Sequence, residues 1–403
     1  MHEITFKEIL AFLQRAVYSV DRRLPNHGEQ VAYLAWATSW QLGFRDERLL
    51  RLMASAMLHD IGACDPEERQ RISDFELLQP LDHCVTGYLL LRDLGPDPEM
   101  ARFILYHHHR WDVHARTAIR GIPYAEESAI LHLADRMAIL FSQSGQEFPE
   151  RVSRFFERTA DEGLFNPDHV RPFLQLALET DLLDKLVSGD YLSEIYGMLN
   201  TVPLREREIK GYLWMLAGLV DFRHSRLTGH TEAVLAMVRQ LLEWQGIADP
   251  ETLWIVEQAI LIRNAGRLAL PPETYCWELN ADSGERLTAV IRQIDRNNAD
   301  IVAGLPGLEA NGFGIAERLQ RTIALADIVV SLMEAGMESG QVFVMLSQLA
   351  SMEFFDEAEC GLMKNRLEMV LPQIDKARTE ALVKNYTIVE DHRSLSQRIR
   401  LQF

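Results

Sequence analysis

The sequence predicts an all-α fold that arose by tandem duplication of one helical domain. Apolar residues recur at helical spacing in nearly every long segment, as in ERLLRLMASAML at 47–58 and AEESAILHLADRMAIL at 125–140. Runs that alternate between apolar and polar residues, as strands do, are scarce. Because 403 residues exceed the usual size of one hydrophobic core, we expect two domains, 1–200 and 201–403.

Four ordered matches between the two halves indicate the duplication. The matching segments are 23–31 with 226–234, 56–63 with 261–267, 133–140 with 325–332, and 165–174 with 354–363. The first and third matches pair His27 with His230 and Asp135 with Asp327. A repeat of this length is a whole domain rather than one hairpin of a solenoid. The boundary is expected near Pro203, where the helical pattern breaks and a charged segment follows.

The charge of the chain limits the classes of partner. A formal net charge of −18 argues against a nucleic-acid polymer, because binding to a phosphate backbone requires clustered Lys and Arg. A small phosphate-bearing ligand remains compatible with that charge where a local metal or cationic site overrides it.

Three features predict a cytoplasmic protein that does not interact with a membrane. No run of about 18 consecutive apolar residues predicts a membrane span, and the N-terminal segment is unlike a signal peptide. The cysteines form no CxxC motif, as expected of reduced thiols in the cytosol. They are Cys64, Cys84, Cys276 and Cys360.

Ten of the thirteen histidines lie in the first 169 residues. A comparison of the two halves indicates which polar residues the fold does not need. The pair His59 and Asp60, which ends an apolar helical segment, is replaced by Arg263 and Asn264 in the second half. The surrounding apolar pattern persists there, so the fold does not need the pair. We therefore expect His59 and Asp60 to serve chemistry.

Imidazole nitrogens and carboxylate oxygens are suitable ligands for divalent first-row metals. Seven candidate ligands in the first half offer these donors: His27, His59, Asp60, His83, His107, His108 and Asp135. Four of them lie near the ends of separate predicted helices, which a bundle can bring together: His27, His59, Asp60 and Asp135. Seven ligands exceed what one ion needs, and Asp60 has two oxygens with which to bridge. The set therefore predicts two metal ions.

The same residues form an ordered set of motifs over roughly residues 20–180. The motifs are His27, HDIG at 59–62, His83 followed by Gly87, HHHRWD at 107–112 and AD at 134–135. Together they resemble the HD superfamily of metal-dependent phosphohydrolases, and most closely its HD-GYP branch, whose members hydrolyse cyclic di-GMP. The resemblance implies one metal on His27, His59, Asp60 and Asp135, and another on His83, His107 and His108, with Asp60 between them.

Four departures from that branch bear on the site. Arg23 stands where the branch has the glutamate of a third metal, so two ions are expected rather than three. Ala63 replaces the lysine that follows HDIG, and His109 stands where the branch has glutamate. The GYP signature is absent from VHARTAIRGIPY at 113–124. These changes affect substrate recognition and leave the predicted metal ligands intact.

The resemblance implies a phosphodiesterase that hydrolyses a cyclic dinucleotide such as cyclic di-GMP. Two divalent ions, with Fe or Mn favoured and Ni or Zn as alternatives, would generate the attacking hydroxide next to Asp60. Arg110 and Arg136 are predicted phosphate contacts, since they follow the histidine run and Asp135. Two alternatives stay open: an HD phosphohydrolase acting on another nucleotide, and a catalytically weak nucleotide-binding scaffold for signalling.

The second half is predicted to be a degenerate copy without a metal site. Arg263 stays protonated and cannot bind a metal, and no HH pair follows residue 202. We expect this copy to regulate the first domain, to form a homodimer or to bind a protein partner. The segment 298–319, rich in glycine and proline, is interpreted as a loop, either a long connection or a partner surface.

Overall fold

The computed structural model describes residues 3–20, 25–63, 82–114, 118–119, 121–159, 162–224, 227–271, 274, 283–312, 314–351, 361, 363 and 366–402. Regular secondary structure in these ranges is helical, and one isolated bridge pairs Ile119 with Ile122. The prediction of an all-α fold is therefore confirmed. None of the described helices combines the length and the apolar character that a membrane span requires.

The helices are numbered here in chain order. They are α1 (Phe6–Tyr18), α2 (His27–Gln41), α3 (Asp46–Leu58), α4 (Asp82–Asp93), α5 (Pro98–Leu105), α6 (Trp111–His114), α7 (Glu126–Ser144), α8 (Phe148–Thr159), α9 (Pro167–Glu179), α10 (Leu182–Ser188), α11 (Asp190–Leu199), α12 (Glu206–Arg223), α13 (His230–Trp244), α14 (Pro250–Leu268), α15 (Ser283–Val302), α16 (Pro306–Gly312), α17 (Glu317–Glu334), α18 (Ser339–Ser351) and α19 (Leu367–Gln402). A short 3-10 helix, Gly145–Glu147, joins α7 to α8.

Several features singled out in the sequence fall outside the described residues. These are Arg23, Cys64, Cys276, Cys360, residues 24 and 226 of the first match, residues 115–117 and 120 of the segment that replaces GYP, residue 313 of the segment 298–319, and residues 354–360 and 362 of the fourth match.

The chain divides into two compact units. The first unit comprises Thr5–Met215 and Val389–Phe403, and the second comprises Met1–Ile4 and Leu216–Ile388. The segment 200–205, where the helical pattern breaks, is non-helical and joins α11 to α12. The units themselves divide inside α12, after that break, and the predicted domains 1–200 and 201–403 stay a prediction.

Three helices begin with the same local signal, an Asp or Asn followed by Pro. The side chains of Asp97, Asn166 and Asp249 accept hydrogen bonds from backbone amides of the first turns of α5, α9 and α14. The proline that follows each cap has no amide hydrogen. At the first position of a helix such a hydrogen would have no acceptor within the helix, so proline costs no hydrogen bond there. These helix starts are thus determined by local sequence.

Helix packing in the first unit brings the ends of several helices together. Helix α2 packs against α3 and α7, while α5 packs against α3, α4 and α7. Fully buried Leu34, Leu52, Ile104 and Leu131 lie on α2, α3, α5 and α7. The burial of their apolar faces supplies the main driving force for the arrangement. Asp135 lies in the middle of α7, so its predicted position near a helix end was wrong.

The second unit repeats part of this packing. Helix α13 packs against α14 and α17, and α14 packs against α15 and α16. The segment 298–319 contains the end of α15, all of α16 and the start of α17, so its interpretation as a loop was wrong. Its glycines permit close packing: a Cβ added to Gly312 would lie 3.1 Å from Ile262 Cγ2 of α14.

Candidate metal centre

All seven candidate ligands meet in one cluster inside the first unit. Helix α3 ends at Leu58, so His59 and Asp60 follow directly after its last turn. His27 begins α2, His83 lies in the first turn of α4, and the other two histidines follow α5. The cluster is almost completely enclosed, and the most exposed side chain, that of Asp60, is 14% accessible.

Asp60 lies between two groups of histidines. Its Oδ2 atom is 3.3 Å from His59 Nε2 and 4.0 Å from His27 Nε2. Its Oδ1 atom is 3.2 Å from His83 Nε2 and 3.8 Å from His107 Nε2. Each carboxylate oxygen thus faces a different pair of imidazoles, as a ligand shared by two cations would.

The first ligand group consists of His27, His59 and Asp135. Asp135 Oδ1 lies 3.1 Å from His27 Nε2 and 3.7 Å from His59 Nε2. One donor atom from each of the three lies within 4.8 Å of the others. The two nitrogens and one oxygen fit one divalent cation.

The second ligand group consists of His83, His107, His108 and a residue that the sequence analysis missed, Cys84. One donor atom from each of the four lies within 4.8 Å of the others. His83 Nε2 and His107 Nε2 are 3.3 Å apart. The only sequence signal for Cys84 was its position directly after His83, and a lone cysteine has no ligand spacing to reveal it.

Backbone carbonyls orient two of the imidazoles. His59 Nδ1 lies 2.7 Å from the carbonyl oxygen of Ala56, and His107 Nδ1 lies 2.6 Å from that of Ile104. A carbonyl can only accept, so Nδ1 carries the hydrogen in both rings. In the neutral imidazole the lone pair is then on Nε2, which points into the cluster.

Charges within the cluster reinforce one another. Burial opposes the charged form of His59, but Asp60 and Asp135 raise the pKa of its imidazole to about 10. Burial also opposes ionisation of both carboxyls, yet His59 holds the pKa of Asp60 well below its usual range, and Arg136 does the same for Asp135. A cation that binds at His59 must therefore displace a proton, which couples metal binding to pH.

The residues present fit two divalent cations. The buried donor atoms of the cluster without a hydrogen-bond partner among the described residues include His59 Nε2, Asp60 Oδ1 and His108 Nε2. Burying such atoms unpaired is costly, and a cation would satisfy all three. The donors are nitrogen and carboxylate oxygen, with one sulfur available, which is a set that first-row metals accept.

Comparison with known proteins agrees with this geometry. The HD domain family matches residues 26–140, a range that contains all seven candidate ligands. Residues 26–140 form an HD domain. The predicted resemblance to the HD superfamily is thus confirmed for residues 26–140, while the assignment to the HD-GYP branch stays a prediction.

Two proteins of Vibrio cholerae are similar to this chain. The 3'3'-cGAMP-specific phosphodiesterase 1 of serotype O1 is 25% identical over 288 residues, which are 67% of this chain and 65% of that protein. The match therefore spans slightly less than two thirds of the relative. The crystal structure of a cyclic GMP-AMP-specific phosphodiesterase superposes with a TM-score of 0.61 at 17% identity, covering 94% of this chain and 98% of that one. This second likeness shows a shared fold.

The two predicted phosphate contacts of the HD domain have different surroundings. Arg136 is buried, and its Nε and Nη2 atoms donate to Asp135 Oδ2 at 3.0 and 2.6 Å. Arg110 is partly exposed, and its guanidinium pairs with Asp112 at 3.2 Å and with the carbonyl of Glu162. Arg136 therefore orients a ligand of the first group, and the phosphate-binding role of both arginines stays a prediction.

The glycine of HDIG sets the distance between two ligand-bearing segments. A Cβ on Gly62 would lie 2.2 Å from the carbonyl oxygen of His83 and 2.6 Å from the amide nitrogen of Gly87. Both atoms belong to the backbone of α4, which cannot yield as a side chain can. Only glycine lets the turn after His59 and Asp60 approach α4 closely enough for His83 to face Asp60.

The second unit keeps one pair of the HD domain in nearly the same geometry. His230 Nε2 lies 3.0 Å from Asp327 Oδ1, as His27 Nε2 lies 3.1 Å from Asp135 Oδ1. A residue in the left-handed region precedes each histidine, Asn26 with φ 56° and Gly229 with φ 79°. The tandem duplication stays a prediction, and this parallel supports it.

Guanidinium groups surround that pair in the second unit. Arg263 Nη1 is 3.0 Å from Asp327 Oδ2, and Arg267 Nη2 contacts the same oxygen. Arg267 Nη2 also lies 3.1 Å from His230 Nε2. Two fixed cationic side chains thus neutralise the carboxylate whose counterpart in the HD domain is a candidate metal ligand.

Proposed function

We propose that the HD domain is a metal-dependent phosphodiesterase that hydrolyses a cyclic dinucleotide. The observation that carries the proposal is the division of the donors into two groups that share Asp60. A single structural ion would need only one of these groups, whereas phosphoester hydrolysis by two ions uses both.

The two groups of donor atoms around Asp60 support the ligand assignment. His27, His59 and Asp135 would hold one cation, and His83, His107 and His108 the other, with Asp60 shared between them. Fe or Mn is favoured, and Ni or Zn also accepts such donors. When bound, the two cations would activate a water for attack on phosphorus and stabilise the charge that develops on the phosphoryl oxygens.

The chain itself supplies orientation and charge. The carbonyls of Ala56 and Ile104 hold two imidazoles with Nε2 directed into the cluster, so little reorganisation is needed when a cation and substrate bind. Arg136 occupies Oδ2 of Asp135 and leaves Oδ1 to the first ligand group. Arg110 is the proposed outer phosphate contact, for which an incoming phosphate would compete with Asp112.

Two cyclic dinucleotides are candidate substrates. The resemblance to the HD-GYP branch favours cyclic di-GMP, whereas the name of the V. cholerae relative favours 3'3'-cGAMP. The relative is the sharper guide, because this chain lacks both the GYP signature and the lysine after HDIG, where it has Ala63. We propose 3'3'-cGAMP and cyclic di-GMP as the substrates to test side by side.

The second unit is proposed to regulate the HD domain, to form a homodimer or to bind a protein partner. Its equivalent pair, His230 and Asp327, is already neutralised by Arg263 and Arg267, which leaves no charge for a metal to balance. This arrangement supports the prediction that the second unit does not hold a catalytic metal.

Metal content and hydrolysis, measured on anaerobically purified protein, test the proposal. Wild type is expected to carry about two transition-metal ions per chain and to hydrolyse at least one of the two dinucleotides. Asp60→Ala is expected to lose both properties. His169→Gln is the matched control, since His169 is buried in the same unit and contacts Glu126 and Asn166 instead of the cluster.

Three outcomes separate the alternatives. A folded wild type that binds neither metal nor nucleotide contradicts the proposal. Tight nucleotide binding without turnover in the metal-loaded protein supports the signalling scaffold instead. Turnover of a different nucleotide, lost in Asp60→Ala, supports an HD phosphohydrolase with another substrate.

A further inference from the structure

We propose that Cys84 is a thiolate ligand of the second ligand group, alongside His83, His107 and His108. The inference rests on the proposed function only in taking this group to hold a cation. It adds a donor type that neither the motifs of the chain nor the comparisons assign.

Geometry is the first argument. Cys84 Sγ lies 3.6 Å from His83 Nε2, the same nitrogen that lies 3.2 Å from Asp60 Oδ1. Sulfur and the three imidazole donors all fall within 4.8 Å of one another, as the ligands of a single ion must. Helix α4 thus contributes two adjacent donors to one position.

Burial is the second argument. Cys84 is 4% exposed, and the two histidines that flank the thiol, His83 and His107, are fully buried. His108 Nε2 is buried in the same group without a hydrogen-bond partner among the described residues. Alanine or valine would fill a core position next to three imidazoles equally well, whereas a thiol adds a soft donor where nitrogen donors are already gathered.

A thiolate changes what the second position binds. Coordination replaces the S–H bond by a metal–sulfur bond and releases the proton to solvent. Soft sulfur favours Fe, Co and Zn over Mn, relative to a site of imidazole and carboxylate alone. With Asp60 Oδ1 as a further donor, the second position has five protein ligands and the first position has four.

Cobalt substitution of the metal-free 403-residue chain tests the proposal by a readout independent of activity. Thiolate bound to Co²⁺ gives a ligand-to-metal charge-transfer band in the near ultraviolet, which imidazole and carboxylate do not. Wild type loaded with two equivalents of Co²⁺ is expected to show the band, and Cys84→Ser is expected to lack it. Affinity for the more weakly held cobalt should fall at least about tenfold in Cys84→Ser, because a direct ligand matters no less than its outer-shell partners.

A second variant keeps the test independent of whether Cys84→Ser folds. The combined replacement of Cys64, Cys276 and Cys360 by Ser leaves Cys84 as the sole cysteine, and this variant is expected to keep the band. Two bound cobalt ions without a band, in wild type or in this variant, overturn the proposal and leave the proposed function standing. A band without hydrolysis of either dinucleotide supports Cys84 and overturns the proposed function, while failure to bind cobalt overturns both.

Discussion

Replacement of Arg267 is the most direct test of what stabilises the buried Asp327 carboxylate in the second unit. Arg267 and Asp327 are 3% and 2% exposed, and the guanidinium contacts both the Asp327 carboxylate and His230 Nε2. Burial opposes the ionised form of Asp327, but Arg267 holds the pKa of its carboxyl far below the usual range. Arg267→Ala removes the guanidinium and leaves the negative charge of Asp327 buried.

The expected cost follows from these contacts. Removing one partner of a buried ion pair typically costs about 3–5 kcal/mol, because the other charge is left without compensation. Arg263 Nη1 lies 3.0 Å from Asp327 Oδ2 and remains in the variant. We therefore expect the free energy of unfolding to fall by an amount near the lower end of that range, about 3 kcal/mol. With an m value of about 1–3 kcal/mol/M in urea, the unfolding midpoint of this unit should fall by about 1–3 M.

Urea unfolding followed by far-ultraviolet circular dichroism measures the loss. Arg239→Ala is the matched control, since Arg239 lies on the neighbouring α13 with its side chain 61% exposed and 3.5 Å from Glu257. Glu257 is buried, but the guanidinium of Arg239 lies in solvent, so this pair is expected to contribute about 1 kcal/mol or less. Equal shifts of the midpoint in Arg267→Ala and Arg239→Ala would refute the idea that a buried guanidinium replaces a cation here.

Two further predictions concern one residue in each unit. Gly62→Ala should push the HDIG turn away from α4, since its Cβ would lie 2.2 Å from the His83 carbonyl oxygen. Metal titration is expected to show weaker binding in the second ligand group. An unchanged metal affinity would contradict the reasoning. Burial and the nearby Glu232 raise the pKa of Asp221 to about 8, above its unfolded value of about 3.9. The folded state therefore binds the extra proton between these values, so the stability that Asp221 contributes is present at low pH and is lost as pH rises toward 8. Asp221→Asn, which keeps an acceptor for the Gly229 amide, should flatten this decline between pH 5 and pH 8 in urea midpoints, and an unchanged slope would contradict the assignment.

Local patterns were sufficient for the fold class and for the choice of candidate ligands, whose role as ligands stays a prediction. Helix starts at Asp97–Pro98 and Asn166–Pro167 follow from caps that involve only adjacent residues. The end of α3 before His59 was also predicted from the apolar run. Such features depend on a few neighbouring residues, so one sequence suffices to read them.

Other local interpretations failed where packing competed with them. Asp135 was expected near a helix end but lies mid-helix, because α7 continues to Ser144 and residues 136–141 are all buried. The glycines at 307 and 312 suggested a loop, yet both lie within α16, and Gly312 allows that helix to pack closely on Ile262 of α14. In both cases the burial of a helix face against a neighbour outweighed the local signal.

The sequence by itself determined which side chains are available for a metal centre and that Arg263 and Asn264 stand in the second half where its pattern matches His59 and Asp60. Only the tertiary structure decided how they are used: Asp60 divides its two oxygens between two histidine groups, Cys84 joins the second group, and Arg267 reaches the His230–Asp327 pair. The reason is physical. Hydrophobic periodicity fixes which face of each helix is buried, whereas a distance of 3 to 4 Å between side chains on different helices depends on how those helices cross and how closely residues such as Gly62 let them approach.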